Sequence, residues 1–127
     1  SNIAWELDCP DSLPQIAMDA EALSRAFMNI LTNAGEVLAG RKEPKVSVRA
    51  VHNRAERAII IEIADNGPGL SSEEMFRIFE PYFSRKKGGT GLGLAIVKSI
   101  ITDHRGYVRA APAPDGGTIF SIHLPVA

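Results

Sequence analysis

Cysteine is almost absent from this chain: Cys9 is its single thiol in 127 residues. One cysteine closes no internal disulfide and leaves no partner for a thiolate metal cluster, so a reducing compartment is the simpler expectation. A dominant charge is missing too. The 14 lysines and arginines against 15 aspartates and glutamates leave a formal net charge of -1, which gives no global field toward nucleic acid or an anionic membrane surface. No apolar run approaches the ~20 residues of a membrane span, and the N-terminus lacks the basic and apolar regions of a signal peptide. The expected setting is cytoplasmic, with the chain free or cut from a longer membrane-anchored protein. The histidines are few and scattered. His52 falls in a polar turn, His104 near a helix end and His123 in a terminal strand, so none is spaced for a metal and each is read as structural or exposed.

What the chain does have is apolar content of 45%, ordinary for a globular domain, in a length that fits one domain with a real core. The most informative stretch runs from Ile59 to Gly69. Strand side chains alternate faces, so Ile59, Ile61, Ile63 and Asp65 share a side and place a carboxylate at the inward end of an apolar row. A desolvated carboxylate needs hydrogen-bond donors. Asp65 is therefore either a cap on its own turn or a reader of a bound donor, and Gly67 and Gly69, with Pro68 between them, let main chain come close to a flat ligand.

In chain order, Ile3 to Leu7 alternates as a first strand, and the turn-rich segment from Cys9 to Pro14 follows. Asp19 is a good N-cap for a helix over roughly 20 to 39, whose stripe is Leu23, Phe27, Ile30, Ala34, Val37 and Leu38, with Gly40 ending it. Lys45 to Val51, with Val46, Val48 and Ala50 inward, pairs with the Ile59 strand as a hairpin joined by the polar segment from His52 to Arg57. Ser71-Ser72-Glu73-Glu74 has the form of a capping box opening a short helix to about Phe79. Glu80 to Thr90 reads as a mobile loop. Order resumes at Gly91 in a helix carrying Leu94, Val97 and Ile101 and ending near His104. Two strands, Tyr107 to Ala111 and Thr118 to Leu124, close the chain around a turn built from Pro112 to Gly117.

Three places offer chemistry. Asn29, Asn33 and Glu36 share one helix face beside the apolar stripe, where amide oxygens suit magnesium; a plain polar surface gives the same pattern. The run from Gly88 to Leu94 opens into a helix whose free amides favour phosphate, although it lacks the lysine and hydroxyl of a P-loop and follows no strand directly; a flexible hinge fits about as well. Arg85, Lys86 and Lys87 form either a solvated patch or a segment that folds over a polyphosphate.

Taken together these pieces resemble the ATP-binding catalytic domain of bacterial sensor histidine kinases, within the superfamily of type II topoisomerases, the ninety-kilodalton heat-shock chaperones and mismatch-repair ATPases. Asn29-Ile-Leu-Thr-Asn33-Ala34 looks like the N box, Asp65-Asn-Gly67-Pro-Gly69 the first glycine box, Phe79-Glu-Pro-Tyr-Phe83 the F box, and Gly89-Thr-Gly91-Leu-Gly93-Leu94 the second glycine box. Gly116-Gly117-Thr118 is similar to a third glycine motif, so the likeness covers nearly the whole chain.

The resemblance implies an α+β fold, a two-layer sandwich of the Bergerat ATP-binding type, with a mixed sheet of about five strands covered on one face by about three helices. It implies ATP and Mg2+ as ligands. Asp65 would accept a hydrogen bond from adenine, Gly67 and Gly69 would admit the base, and Asn33 would ligate magnesium with Asn29 in support. The stretch Thr90, Gly91, Leu92, Gly93 and Leu94 would hold phosphates, Thr118 would line the site, and Phe79 would anchor a lid from which Arg85 or Lys86 reaches the nucleotide. The implied reaction is transfer of a γ-phosphoryl group to a histidine, by positioning and electrostatics. Hydrolysing relatives carry a glutamate base where this chain has Asn29, and an amide takes no proton from water.

Two departures stand out. Glu36 occupies a position where many sensor kinases carry a basic residue, a feature resembling nitrogen-regulation sensor kinases, and His104-Arg105-Gly106 replaces the usual His-Gly-Gly. No histidine sits in an acid-flanked acceptor helix, so the dimerisation and acceptor helices are expected upstream, in a homodimer that serves a response-regulator receiver domain. Contact with nucleic acid or directly with the membrane is not expected of this domain. A nucleotide-binding regulatory module without transfer, and an anti-sigma type of protein-serine kinase, are the competing readings.

Overall fold

Local sequence accounts for most of the elements in the computed structural model, which describes residues 2–83 and 91–126. Arg85, Lys86, Lys87, Gly88, Gly89 and Thr90 lie outside the described residues. The elements are β1 (Ala4–Asp8), α1 (Ala20–Val37), β2 (Lys45–Asn53), β3 (Ala58–Asp65), α2 (Ser72–Arg77), α3 (Gly93–Asp103), β4 (Tyr107–Pro112) and β5 (Thr118–Pro125). Asp19 caps α1 by accepting from the Ala22 amide, and Ser71 and Glu74 form the reciprocal capping box that starts α2.

The strands make one five-stranded sheet in the order β1-β2-β3-β5-β4, with β1 parallel to β2 and every other pair antiparallel. α1 and α3 lie antiparallel to each other: the start of α1 meets the end of α3 through Asp19 and His104, and Asn29 reaches Gly93 at the other end. Leu23, Ala26, Ile30, Ala34 and Leu38 from the α1 side and Val97 and Ile101 from α3 pack on Val46, Ile63, Phe120, Ile122 and Leu124 of the sheet. The opposite sheet face mixes apolar residues such as Val51, Ile60 and Ile119 with charge, and there Arg49 bridges Asp8 at 3.6 Å and Glu62 at 3.8 Å. This is the two-layer arrangement in which one sheet face holds the core and the other meets water.

Several boundaries move for identifiable reasons. Gly91 has φ +72 and cannot open a helix, so α3 begins at Gly93. Leu38 is the cap of α1 and Gly40, at φ +76, turns the chain away, so the helix stops short of 39. His52 is not in the turn: β2 continues to Asn53 and His52 pairs with Ile59. Asn53 is itself the turn former, since its Oδ1 accepts from the Glu56 amide at 3.0 Å. β1 is a strand, but Trp5 and Leu7 stay exposed because the helices pack over β3, β5 and β4, and β1 lies beyond them at the sheet edge.

Candidate nucleotide-binding site

Asp65 ends β3 and is 6% exposed, at the inner side of the isoleucine row. Its Oδ1 accepts a hydrogen bond from the Gly67 amide at 2.8 Å, so it does cap its own turn. The capping geometry also explains Gly67: a Cβ there would lie 2.9 Å from the same Oδ1 and 3.4 Å from Val37. The sheet register sets Thr118, 5% exposed, directly across from Asp65, with Val46 on its other side. Gly69 adopts φ +79 and approaches the carbonyl of Gly117.

Two residues that hold this turn escape a reading by function alone. Asn66 donates through Nδ2 to the Glu43 carbonyl at 2.9 Å and accepts through Oδ1 from the Lys45 amide at 2.8 Å, tying the turn to the start of β2. An asparagine beside a glycine is a signal for such a backbone staple. Gly117, at φ +95, passes so close to the Asp65 carbonyl that any Cβ would collide with it. A Gly-Gly pair before a strand signals a turn, but its partner in space is not written locally.

The second half of the site is the junction of α1 and α3. Asn29 donates from Nδ2 to the Gly93 carbonyl at 3.2 Å, which joins the asparagine helix to the glycine-rich helix start. Asn33 lies one turn further on, half-buried, and its side chain makes no hydrogen bond among the described residues. Leu92, the N-cap of α3, supplies no side-chain cap to the first amides of that helix. The positive end of the α3 dipole lies at this junction, where negative charge is favoured. Leu94 is partly buried against the core.

Phe79 turns inward and meets Phe120 edge-on, with ring centres 6.0 Å apart. That is an anchoring contact with the core. Beside it, Tyr82 adopts φ +68 and its amide donates to the Gly91 carbonyl at 2.8 Å, while Arg77 lies over the Phe83 ring. A Cβ on Gly91 would strike the Tyr82 backbone. The F box and the second glycine box are thus held together at their described ends. Arg85, Lys86 and Thr90, the remaining candidates, fall outside the described residues. Among the described residues no group of three or more histidine, cysteine, aspartate or glutamate side chains is arranged for a metal ion. Asn33, with its oxygen uncommitted, suits a cation that takes most of its ligands from water and phosphate.

Comparison with known proteins identifies the family. The profile of the histidine kinase-, DNA gyrase B-, and HSP90-like ATPase family matches residues 18–127. The chain is 38% identical over 98% of its length to a sensory histidine kinase/phosphatase NtrB of Vibrio alginolyticus, of which it spans 38%. It is 34% identical over 99% of its length to sporulation kinase E of Bacillus subtilis, of which it spans 17%. Among solved structures it resembles a mycobacterial sensor histidine kinase, MprB, with TM-score 0.83 and 32% identity over 97% of this chain and 83% of that one. The nucleotide-free catalytic domain of histidine kinase ThkA shares the fold, with TM-score 0.84, 24% identity and coverage of 98% and 80%. The chain therefore belongs to the histidine kinase-, DNA gyrase B-, and HSP90-like ATPase family, as a catalytic domain of the histidine kinase type.

Proposed function

We propose that this domain binds ATP with Mg2+ and presents the γ-phosphoryl group to a histidine on a separate acceptor domain. The observation that carries the reading is the placement of Asp65, a buried carboxylate in a glycine turn, on the helix-covered side of the sheet where Asn29 of α1 meets Gly93 at the start of α3. Asp65 reads the adenine amino group, with Thr118 beside it. The first amides of α3 hold phosphate oxygens, and Asn33 offers its amide oxygen to magnesium while Asn29 fixes the helix that carries it. A magnesium ion supplies neutralisation of phosphate charge, and the residues named here supply position.

Asn29 has no proton-accepting form at neutral pH, which favours an external nucleophile over water. The acceptor helices, the second subunit of a dimer, a receiver-domain partner and a cytoplasmic setting belong to the same proposal. Kinship with proteins named NtrB, at 38% and 37% identity, and the acid at Glu36 support a nitrogen-regulation type of sensor kinase.

Mixing the purified domain with labelled ATP, magnesium and separately made acceptor helices tests the transfer. An acid-labile, base-stable product on the helices is expected; nucleotide binding without product would leave only a binding module. Asp65→Ala should weaken ATP binding roughly 10- to 100-fold, the loss of a buried charged hydrogen bond. Near-normal affinity in that variant would remove the adenine assignment.

A further inference from the structure

β1 is the edge strand of the sheet and pairs only with β2 among the described residues. The Ala4 amide donates to the Pro44 carbonyl at 2.9 Å. In a parallel ladder the backbone groups of alternate residues point to the same side. Ala4, Glu6 and Asp8 therefore face β2, and the amides and carbonyls of Trp5 and Leu7 point out of the sheet edge. The same two residues carry exposed side chains: Trp5 is 55% and Leu7 78% exposed. On the other face of the strand, Glu6 pairs with Lys45 at 2.8 Å and Asp8 with Arg49 at 3.6 Å, yet their side chains stay 62% and 81% exposed. An open depression lined by Glu6, Leu7, Asp8, Ser47, Val48 and Arg49 runs along this strand pair.

Sheet edges are normally blunted by charge, proline or cover. The opposite edge, β4, has these devices: it carries Arg109 and ends in Pro112, and α3 packs over it. Among the described residues no strand pairs with the outward backbone groups of β1; Glu6 and Asp8 put charge on one face of this edge, while tryptophan and leucine stand uncovered on its helix-side face.

We propose that the β1 edge is a docking site for an added strand whose side chains alternate apolar and basic. Its backbone would pair with the outward groups of Trp5 and Leu7. Its apolar side chains would cover those two residues, and its lysines or arginines would lie beside Glu6 and Asp8, since opposite charges across neighbouring strands stabilise and like charges destabilise. A second copy of the chain fits poorly. Two-fold pairing of β1 with itself would put the carboxylates of Glu6 and Asp8 from both copies on one face.

Trp5 is the only tryptophan in the sequence, so its fluorescence reports the edge directly. The probe is a short capped peptide alternating valine and lysine, titrated into the chain, with a valine–glutamate peptide and a proline-interrupted valine–lysine peptide as controls. The expected result is a blue shift of Trp5 emission and slowed hydrogen exchange at the Trp5 and Leu7 amides. The control peptides should bind at least roughly tenfold more weakly, and Leu7→Lys, at an exposed position, should lose the response while keeping the fold. Equal shifts with all peptides, or none, would overturn the proposal. So would a concentration-dependent blue shift of the peptide-free chain with dimers in sedimentation, which marks a second copy as the occupant. A shift caused only by an amphipathic helical peptide, without amide protection, would overturn it in favour of a helix.

Discussion

At the scale of single residues, His123 shows how burial and charge oppose each other. It lies on the open face of the sheet with its side chain 13% exposed, stacked on Tyr107 with ring centres 4.2 Å apart. Among the described residues its Nδ1 has no hydrogen-bond partner, and a carboxylate oxygen of Glu56, 3.8 Å away, already accepts from the Tyr107 hydroxyl. Burial lowers the His123 pKa below 6.5; Glu56 and Glu62 pull it up, and Arg109 adds to the lowering. A group whose folded-state pKa is lowered takes up its proton more readily when unfolded. The stability it contributes is therefore complete above its unfolded value and is lost as the pH falls below about 6.5. His123→Phe keeps the stack and removes the titration. Thermal unfolding from pH 7.5 down to pH 5.5 should thus fall less steeply in the variant than in the parent chain; identical slopes would show that His123 ionises without cost.

At the scale of elements, the pairing of α1 with α3 decides how the site is assembled. At one end Asn29 donates to the Gly93 carbonyl. At the other, the Asp19 amide donates to His104 Nε2 at 2.9 Å while His104 Nδ1 lies 2.8 Å from the Ile100 carbonyl. These contacts define one tautomer, with the proton on Nδ1, and commit both ring nitrogens. His104→Leu should therefore cost about 1 kcal/mol, a drop of roughly 3–5 °C in Tm. His104→Gln, whose amide oxygen can accept from Asp19, should recover part of it. A Leu variant as stable as the parent would mean that the cross-helix bond contributes nothing.

This arrangement also shows which parts of the chain could be read in advance. The buried stripes of α1 and α3 follow from local periodicity, the starts of α1 and α2 from caps at Asp19 and Ser71, and the β2–β3 hairpin from short-range alternation. His104 reads only as a helix end, because its partner at Asp19 is 85 residues away. For the same reason the parallel pairing of β1 with β2, and the insertion of β5 between β3 and β4, are not visible in any window of sequence. The candidate site is easier to read than the topology, since Asp65, Asn33 and the glycines sit in compact motifs. Asn66 and Gly117 fall in the same motifs, but their roles are not readable there, because they hold distant backbone.

At the scale of the whole molecule, the proposed nucleotide touches parts of the chain that have little else in common: the turn after β3, the middle of α1 and the start of α3. Binding to all of them should therefore raise the stability of the entire fold and not of one segment. At a ligand concentration one hundred times Kd the linkage amounts to about 2.7 kcal/mol, or roughly 10 °C in Tm for a domain of this size. ATP with magnesium should give that rise as a single cooperative transition. Asn33→Ala should keep the part seen with ATP and a chelator and lose the additional part that magnesium supplies, because the metal contributes through that one amide. The same variant should remain as stable as the parent without nucleotide, since the half-buried Asn33 side chain makes no hydrogen bond to described residues. A magnesium increment unchanged by Asn33→Ala, measured in the same scanning experiment, would place the metal elsewhere and detach the asparagine helix from the chemistry.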